Sequence, residues 1–352
     1  MTDVQQEKLE QLLGKMVGDM GAAVNGALVM VGERLGLYRT LAERGPTSVS
    51  ELAEATGAAE RYLREWLSAQ AAIGYVTYDA ETDRFHLTPE QAAVFADPES
   101  PVLLTGGFES IAAVYHDVDP LTDAFRSGAG RGWGEYCDCL FCGVEKFFRP
   151  NYKGHLVNDW LPALDGVVER LERGGRVADV GCGHGASTLL MAQAFPNSAF
   201  VGYDFHTPSI DTARERADAA GLPNVRFEVA SAKAYGGTGY DLVAFFDCLH
   251  DMGDPVGALR HTGEALAPDG KVLLVEPMAA DTLSDNLNPV GAVYYGFSTA
   301  ICVPTSLAQE TALALGAQAG EARLRAVAED AGFTRFRRAA ETPFNLVLEA
   351  AA

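Results

Sequence analysis

A chain of 352 residues with 48% hydrophobic content can bury more than one core, and about 100–200 residues per domain makes two domains the expectation. Its 27 basic against 48 acidic residues leave a net charge of −21, which repels nucleic-acid backbones and anionic membrane surfaces and leaves small neutral or cationic molecules as partners. No uninterrupted apolar run approaches the roughly 20 residues of a spanning helix, the start MTDVQQEKLEQLL lacks the regions of a secretion signal, and Cys182, Cys248 and Cys302 stand singly, so a cytoplasmic chain with reduced thiols is expected.

Residues 1–100 read as a mainly helical module. ALVMVGERLGLYRTLAERG, from Ala27, sets Leu28, Val31, Leu35, Tyr38 and Leu41 at helical spacing and stops at Gly45-Pro46. Ser50 is the expected cap of a short helix, ELAEAT, which Gly57 breaks, and AERYLREWLSAQAAIG makes a second. YVTYDAETDRFHLT then alternates about a polar tip, the pattern of a β-hairpin wing. The module is an expected winged helix, yet its 8 Lys/Arg against 16 Asp/Glu repel DNA, and Arg61 and Arg64 alternate with Glu60 and Glu65. A scaffold or homodimerisation role is expected; a ligand-sensing regulator is the alternative.

Residues 101–165 read as a helical connection and substrate lid, with IAAVYHDV and LTDAFRS as helix formers. WGEYCDCLFCGVEKFF within it brings Trp133, Tyr136, Phe147 and Phe148, which together with Tyr294, Tyr295 and Phe297 are candidates to line an aromatic-accepting cavity. It also carries Cys137, Cys139 and Cys142. With no second cysteine pair to complete four ligands, they are expected to be small buried thiols and no metal is expected there, although His116 and His155 could each add one ligand; thiols lining the substrate entrance beside Trp133, Tyr136 and Phe141 are the alternative.

From 166 to 352 the pattern becomes α/β. RVADVGC, SAFVGYD, VRFEVAS, YDLVAFFD and KVLLVEP read as short strands alternating with helices, which predicts a mostly parallel sheet with its ligands at the carboxyl ends. Gly181, Gly183 and Gly185 follow the first strand and let the backbone turn tightly against a ligand. The form GCGHGA also satisfies a dinucleotide fingerprint, which keeps a dehydrogenase as a third reading. Asp179 separates the two: a carboxylate beside the loop disfavours a pyrophosphate and accepts from an ammonium group. Asp204 closes the second strand, placed for both hydroxyls of a ribose. A ligand with a ribose and a cationic amino-acid tail fits both acids, and S-adenosylmethionine is that ligand.

DVGCGHG and VGYD resemble the first two motifs of class I S-adenosylmethionine-dependent methyltransferases, whose fold is a Rossmann-like, seven-stranded, mostly parallel sheet. The late strands TRFRRAA and FNLVLEA would pair antiparallel at its edge. The resemblance implies that Phe205, Ser231, Ala232 and Asp247 also surround the cofactor; Ser231 stands where many relatives place an acid. FFDCLHDMGDPVGALRHTGEALAPDGKVLLVEP is similar to the winged-helix O-methyltransferases of this class, including actinobacterial members of uncertain substrate. That similarity implies His250 as general base for a hydroxyl acceptor on a small molecule, Glu276 as one acid orienting it, a second acid near Gln318 or Glu321, and a homodimer formed by the winged helix. His184, inside the glycine loop, is expected to shape the loop and not to react.

Overall fold

The structure, a computed structural model, describes residues 4–351. They form two compact units, residues up to 112 with 142–150, and residues 113–141 with 151 onward.

The first unit is the winged helix. Its opening helix, Gln6–Arg34, starts some twenty residues before Ala27. The predicted single helix from Ala27 is two, because Gly36 turns left-handed at φ 66° and restarts the chain as Leu37–Arg44. The next helix, Val49–Thr56, is capped by Ser48 and not by Ser50. Ser48 stands three residues before Glu51, so the two close a reciprocal capping box, while the Ser50 hydroxyl donates to Glu60. Helix Glu60–Ala72 follows, then strands β1 (Thr77–Asp79) and β2 (Arg84–His86), an antiparallel wing. Leu41, Leu52, Leu67 and Phe85 fill the core, with Tyr38 donating to Gln70 at 2.6 Å beneath them. Gly32 lets the first helix approach: a Cβ there would lie 2.5 Å from the Trp66 ring. Much of the first helix has no such cover, since Leu12, Leu13, Met16, Val17, Met20 and Val24 are each at least half exposed.

The second unit holds seven strands: β3 (Arg176–Val180), β4 (Ala199–Asp204), β5 (Val225–Val229), β6 (Tyr240–Phe246), β7 (Leu266–Pro277), β8 (Arg335–Glu341) and β9 (Asn345–Ala351). They lie in the order β5-β4-β3-β6-β7-β9-β8, parallel from β5 through β7. The late pair is antiparallel as expected, with β9 inserted between β7 and β8. Val243, Phe245, Val272, Leu274, Leu346 and Leu348 are fully buried, which explains why these strands read as unbroken apolar runs. The strand order reverses at β3, whose neighbours are β4 and β6, and a crevice at the carboxyl ends is the usual consequence.

One helical stretch, Pro289–Leu307, is long and apolar enough by length and composition to cross a membrane, against the expectation that none would be. Half of it is buried within the protein, the behaviour of a core helix.

Candidate active site

β3 ends at Val180, and the chain then turns through Gly181, Gly183 and Gly185, each left-handed at φ 77°, 51° and 78°. Their reasons differ. A Cβ on Gly181 would meet the Cys248 sulfur at 2.6 Å, and one on Gly185 the Phe227 ring at 2.7 Å. A Cβ on Gly183 meets nothing within 4 Å, so that glycine faces open space and can receive a ligand against bare backbone. The loop is pinned to β4: Gly181 and Cys182 both donate to the Tyr203 carbonyl (2.7 and 3.0 Å), and Gly183 donates to the Asp204 carboxylate at 2.9 Å.

Asp179 is fully buried. One oxygen accepts from the Ser187 and Thr188 hydroxyls, both at 2.6 Å, and the other has no hydrogen-bond partner. Burial pushes this acid up to about 6 against the two hydroxyl bonds that lower it, so a cationic donor in reach would be well received. Asp204 accepts from backbone N–H of Gly183 and His206, one on each oxygen; each carboxylate oxygen keeps a second lone pair for a hydroxyl donor. Burial raises its pKa as well. Phe205 follows, 56% exposed for so large a ring. Ser231 is exposed and Ala232 half-buried just past β5, whose end is tied to Asp204 through the Ala230 N–H. These donor and acceptor types suit a ribose and an amino-acid tail. His184 is half-buried, its carbonyl accepting from Arg216.

On the other side of β3, Asp247 follows β6 in a left-handed turn at φ 49°, unusual for a residue with a side chain. Its oxygens are taken up by the protein itself, accepting from Tyr152 at 2.7 Å and Asn345 at 2.8 Å, with Asn151 in turn donating to Asn345. Burial, with the Glu276 carboxylate nearby, pushes Asp247 up to about 8.

Three residues on, His250 is 4% exposed. Its Nδ1 lies 2.5 Å from Glu276 Oε2, and the other oxygen of Glu276 accepts the Leu249 N–H. Its Nε2 faces Asp251 Oδ1 at 3.2 Å, and the Cys302 thiol completes the surroundings. Burial alone would lower the imidazole pKa, but the Asp251 and Glu276 carboxylates overcome it and hold it well above 6.5. The second carboxylate beside the imidazole is Asp251, on Nε2 and not on Nδ1, and neither suggested position reaches the ring. Glu321 is spent on Arg325 and Arg338 (2.7 and 2.8 Å), and Gln318 donates to the Met278 carbonyl. Asp251 stood in the sequence beside His250, but an adjacent residue on a helical turn ordinarily points away; here the pair sits on a single short turn, Leu249–Asp251. Tyr152, Asn345 and Cys302 carried no local signal at all.

The aromatics divide. Trp133 packs on Phe141, and Phe141 on His206. Tyr136 is buried and donates to the Ala300 carbonyl at 3.2 Å, beside an apolar recess that Val114, Leu140 and Ile301 also line. Tyr294 is buried and hydrogen-bonded to the Phe344 carbonyl. Phe147 and Phe148 belong to the first unit and pack on each other. The cysteine expectation fails: Cys137 and Cys139 are joined in a disulfide, their Cα atoms 5.2 Å apart where Cys137 caps the helix Asp138–His155, a span that permits bridging. Cys139 and Cys142 are exposed and not buried.

Residues 171–318 match the family described as Methyltransferase domain, and residues 23–96 the Rv2258c-like winged HTH domain. The chain is a methyltransferase that carries a methyltransferase domain behind an N-terminal winged-helix domain. Its methyl donor is S-adenosylmethionine. This methyltransferase is 26% identical over 275 residues to the mitomycin biosynthesis 6-O-methyltransferase of Streptomyces lavendulae, covering 72% of the chain and 76% of that relative. Its fold is shared by the mitomycin 7-O-methyltransferase MmcR (TM-score 0.66, 22% identity, 98% of this chain and 100% of that one). It is shared too by human N-acetylserotonin methyltransferase in complex with S-adenosylmethionine (TM-score 0.69, 17% identity, 99% of each chain).

Proposed function

We propose that this methyltransferase transfers the methyl group to a hydroxyl of a small, neutral molecule, with His250 taking the hydroxyl proton and Glu276 fixing the imidazole. The observation that carries the reading is the buried His250–Glu276 pair, 2.5 Å apart at the carboxyl ends of β6 and β7, β6 being the neighbour of the strand that carries Asp179. S-adenosylmethionine supplies an already activated methyl group on a sulfonium. What remains for the chain is alignment and proton removal.

Gly183 and Asp204 would seat the ribose, Asp179 the ammonium end, and the exposed Phe205 ring the adenine. Ser231 and Ala232 would flank the base, and Asp247 would shape the floor through Tyr152 and Asn345 without a free oxygen of its own. Glu276 accepts at Nδ1, which sets Nε2 as the atom that meets the acceptor. For that meeting Asp251 must yield its place, and losing one carboxylate neighbour lowers the imidazole pKa toward a useful base. The surrounding carboxylates disfavour an anionic acceptor. The recess beside Tyr136, Leu140 and Ile301 would take an apolar ring, in keeping with the O-methyltransferase relative.

The exposed apolar stripe on the helix Gln6–Arg34 supports a homodimer through the winged-helix unit, since a stripe of that length is seldom left in water. The free thiols Cys142, Cys182, Cys248 and Cys302 suit the cytoplasm, against which the Cys137–Cys139 disulfide counts. The deciding experiment offers labelled S-adenosylmethionine and a panel of phenols, thiols and carboxylates. Label appearing on phenols supports the reading, and label only on thiols or carboxylates overturns it.

A further inference from the structure

Among the described residues, one group of side chains has the composition and spacing of a metal site: His250, Asp251 and Cys302, with one ligand atom from each lying within 4.8 Å of the others. It is not in the CDCLFC segment, where the cysteine count alone drew attention. Five features mark it as built for an ion. The donors are mixed nitrogen, oxygen and sulfur, the set that zinc takes. His250 has its Nδ1 committed to Glu276 at 2.5 Å, the carboxylate–histidine arrangement that orients a ligating imidazole and leaves Nε2 for the metal. Nε2 already faces Asp251 Oδ1 at 3.2 Å, and a tetrahedral zinc holds neighbouring ligand atoms about 3.4 Å apart. Asp251 Oδ1 makes no hydrogen bond of its own. The His250 and Cys302 side chains are buried, whereas the Asp251 side chain keeps 21% exposure, which gives an ion a way in.

We propose that His250, Asp251 and Cys302 form an exchangeable zinc site that switches the methyltransferase off when it fills. Three protein ligands leave one position of a tetrahedral ion to water. Zinc takes neutral imidazole and thiolate, so any proton on Nε2 or Sγ leaves as the ion binds, and no oxidation is involved. The switching half rests on the proposed role of Nε2 in taking the acceptor's proton: a coordinated Nε2 has no lone pair for it. The binding half does not depend on that role.

Cobalt(II), a coloured surrogate for zinc, tests the site on the full chain without any acceptor. One equivalent should bring up a near-ultraviolet thiolate-to-metal band, which zinc then bleaches. C302S should abolish the band and D251N should weaken cobalt binding at least tenfold, both variants remaining folded by circular dichroism and keeping S-adenosylmethionine affinity. A band that survives C302S would assign the ion to other sulfurs and overturn the site, as would no band at a hundredfold excess of cobalt. The switch is read with an acceptor from the panel: zinc should abolish turnover over the concentrations at which it bleaches the cobalt band. Zinc that binds while turnover is unchanged would overturn the switch and with it His250 as base, leaving the methyl transfer itself standing. A panel with no hydroxyl acceptor would strike the proposed function, and the cobalt band would be unaffected.

Discussion

The two halves of the sheet edge hold their chemistry by different means. On the β3–β4–β5 side the polar atoms are arranged by backbone: the Gly183 and His206 N–H groups both point at Asp204, and the loop is hung from the Tyr203 carbonyl. On the β6–β7–β9 side they are arranged by side chains far apart in sequence, such as Tyr152 with Asp247, Asn345 with Asp247 and Glu276 with His250, separated by 95, 98 and 26 positions. A backbone site needs only the residues that permit its turn. A side-chain site needs every partner present, and each partner is also a point at which its chemistry is tuned.

The contrast is broken most forcefully at His250. His250→Ala should lower turnover by about 10² to 10⁴ while calorimetry finds S-adenosylmethionine affinity unchanged; a loss below about tenfold would return the residue to a structural part. On the other side, Asp204→Ala removes charge-assisted hydrogen bonds and should weaken cofactor binding by about 1.5–3 kcal/mol, roughly ten- to a hundredfold in Kd, and unchanged affinity would remove the ribose assignment.

The pH dependence separates the halves next. A base works when neutral, so kcat/KM should rise with pH. The two carboxylates that hold His250 above 6.5 should place the acid limb above that of a free imidazole. Glu276→Gln takes one carboxylate away and should move the limb downward. A limb at or below 6.5 in the wild type would contradict the arrangement.

A smaller effect belongs to Asp247. Its folded pKa, about 8, exceeds the unfolded carboxyl value of about 3.9, so the unfolded chain gains from ionisation first. Stability should therefore fall as pH rises from about 4 to about 8 and level off above. Asp247→Asn, which tolerates the same left-handed turn, should flatten that part of the profile in thermal melts. The smallest effect is expected at the cysteine segment. Changing Cys137, Cys139 and Cys142 to Ser removes the Cys137–Cys139 disulfide and can lower the melting temperature, but should leave cofactor binding within about twofold, as for changes distant from a site. A greater loss would tie this segment to the cofactor side.

How much could be read from the sequence follows the same division. DVGCGHG and VGYD announce their site because a turn of glycines and a strand-end acid are local requirements, met within some thirty residues. His250 and Glu276 were within reach only through the family resemblance, His250 standing four residues past the end of β6 and Glu276 one residue before the end of β7. The resemblance points to a second acid near Gln318 or Glu321, whereas the second carboxylate at the imidazole is the adjacent Asp251. Its direction depends on the single turn Leu249–Asp251, too short to leave a periodic pattern. Ser48 and Ser50 are alike in composition as helix caps, and only the position of Glu51, three residues after Ser48, tells them apart. The opening helix escaped because its exposed apolar residues face no core within the chain, so their pattern has nothing inside the unit to explain it.

The insertion of β9 between β7 and β8 has a consequence for how the protein reaches its fold. β3 to β5 can zip up from neighbouring stretches of chain, but β7 waits for a partner some seventy residues away, beyond the whole segment 278–344. Until β9 arrives, the apolar edge of β7 is an open template for any passing strand. Closure of such distant pairs is slow, and partly folded chains with bare edges associate with one another. Asn345, the residue that begins β9 and reaches Asp247, would then be among the last to dock. The β6–β7–β9 half of the sheet edge should mature later than the glycine loop, and overexpressed chains would be most prone to aggregate during that interval.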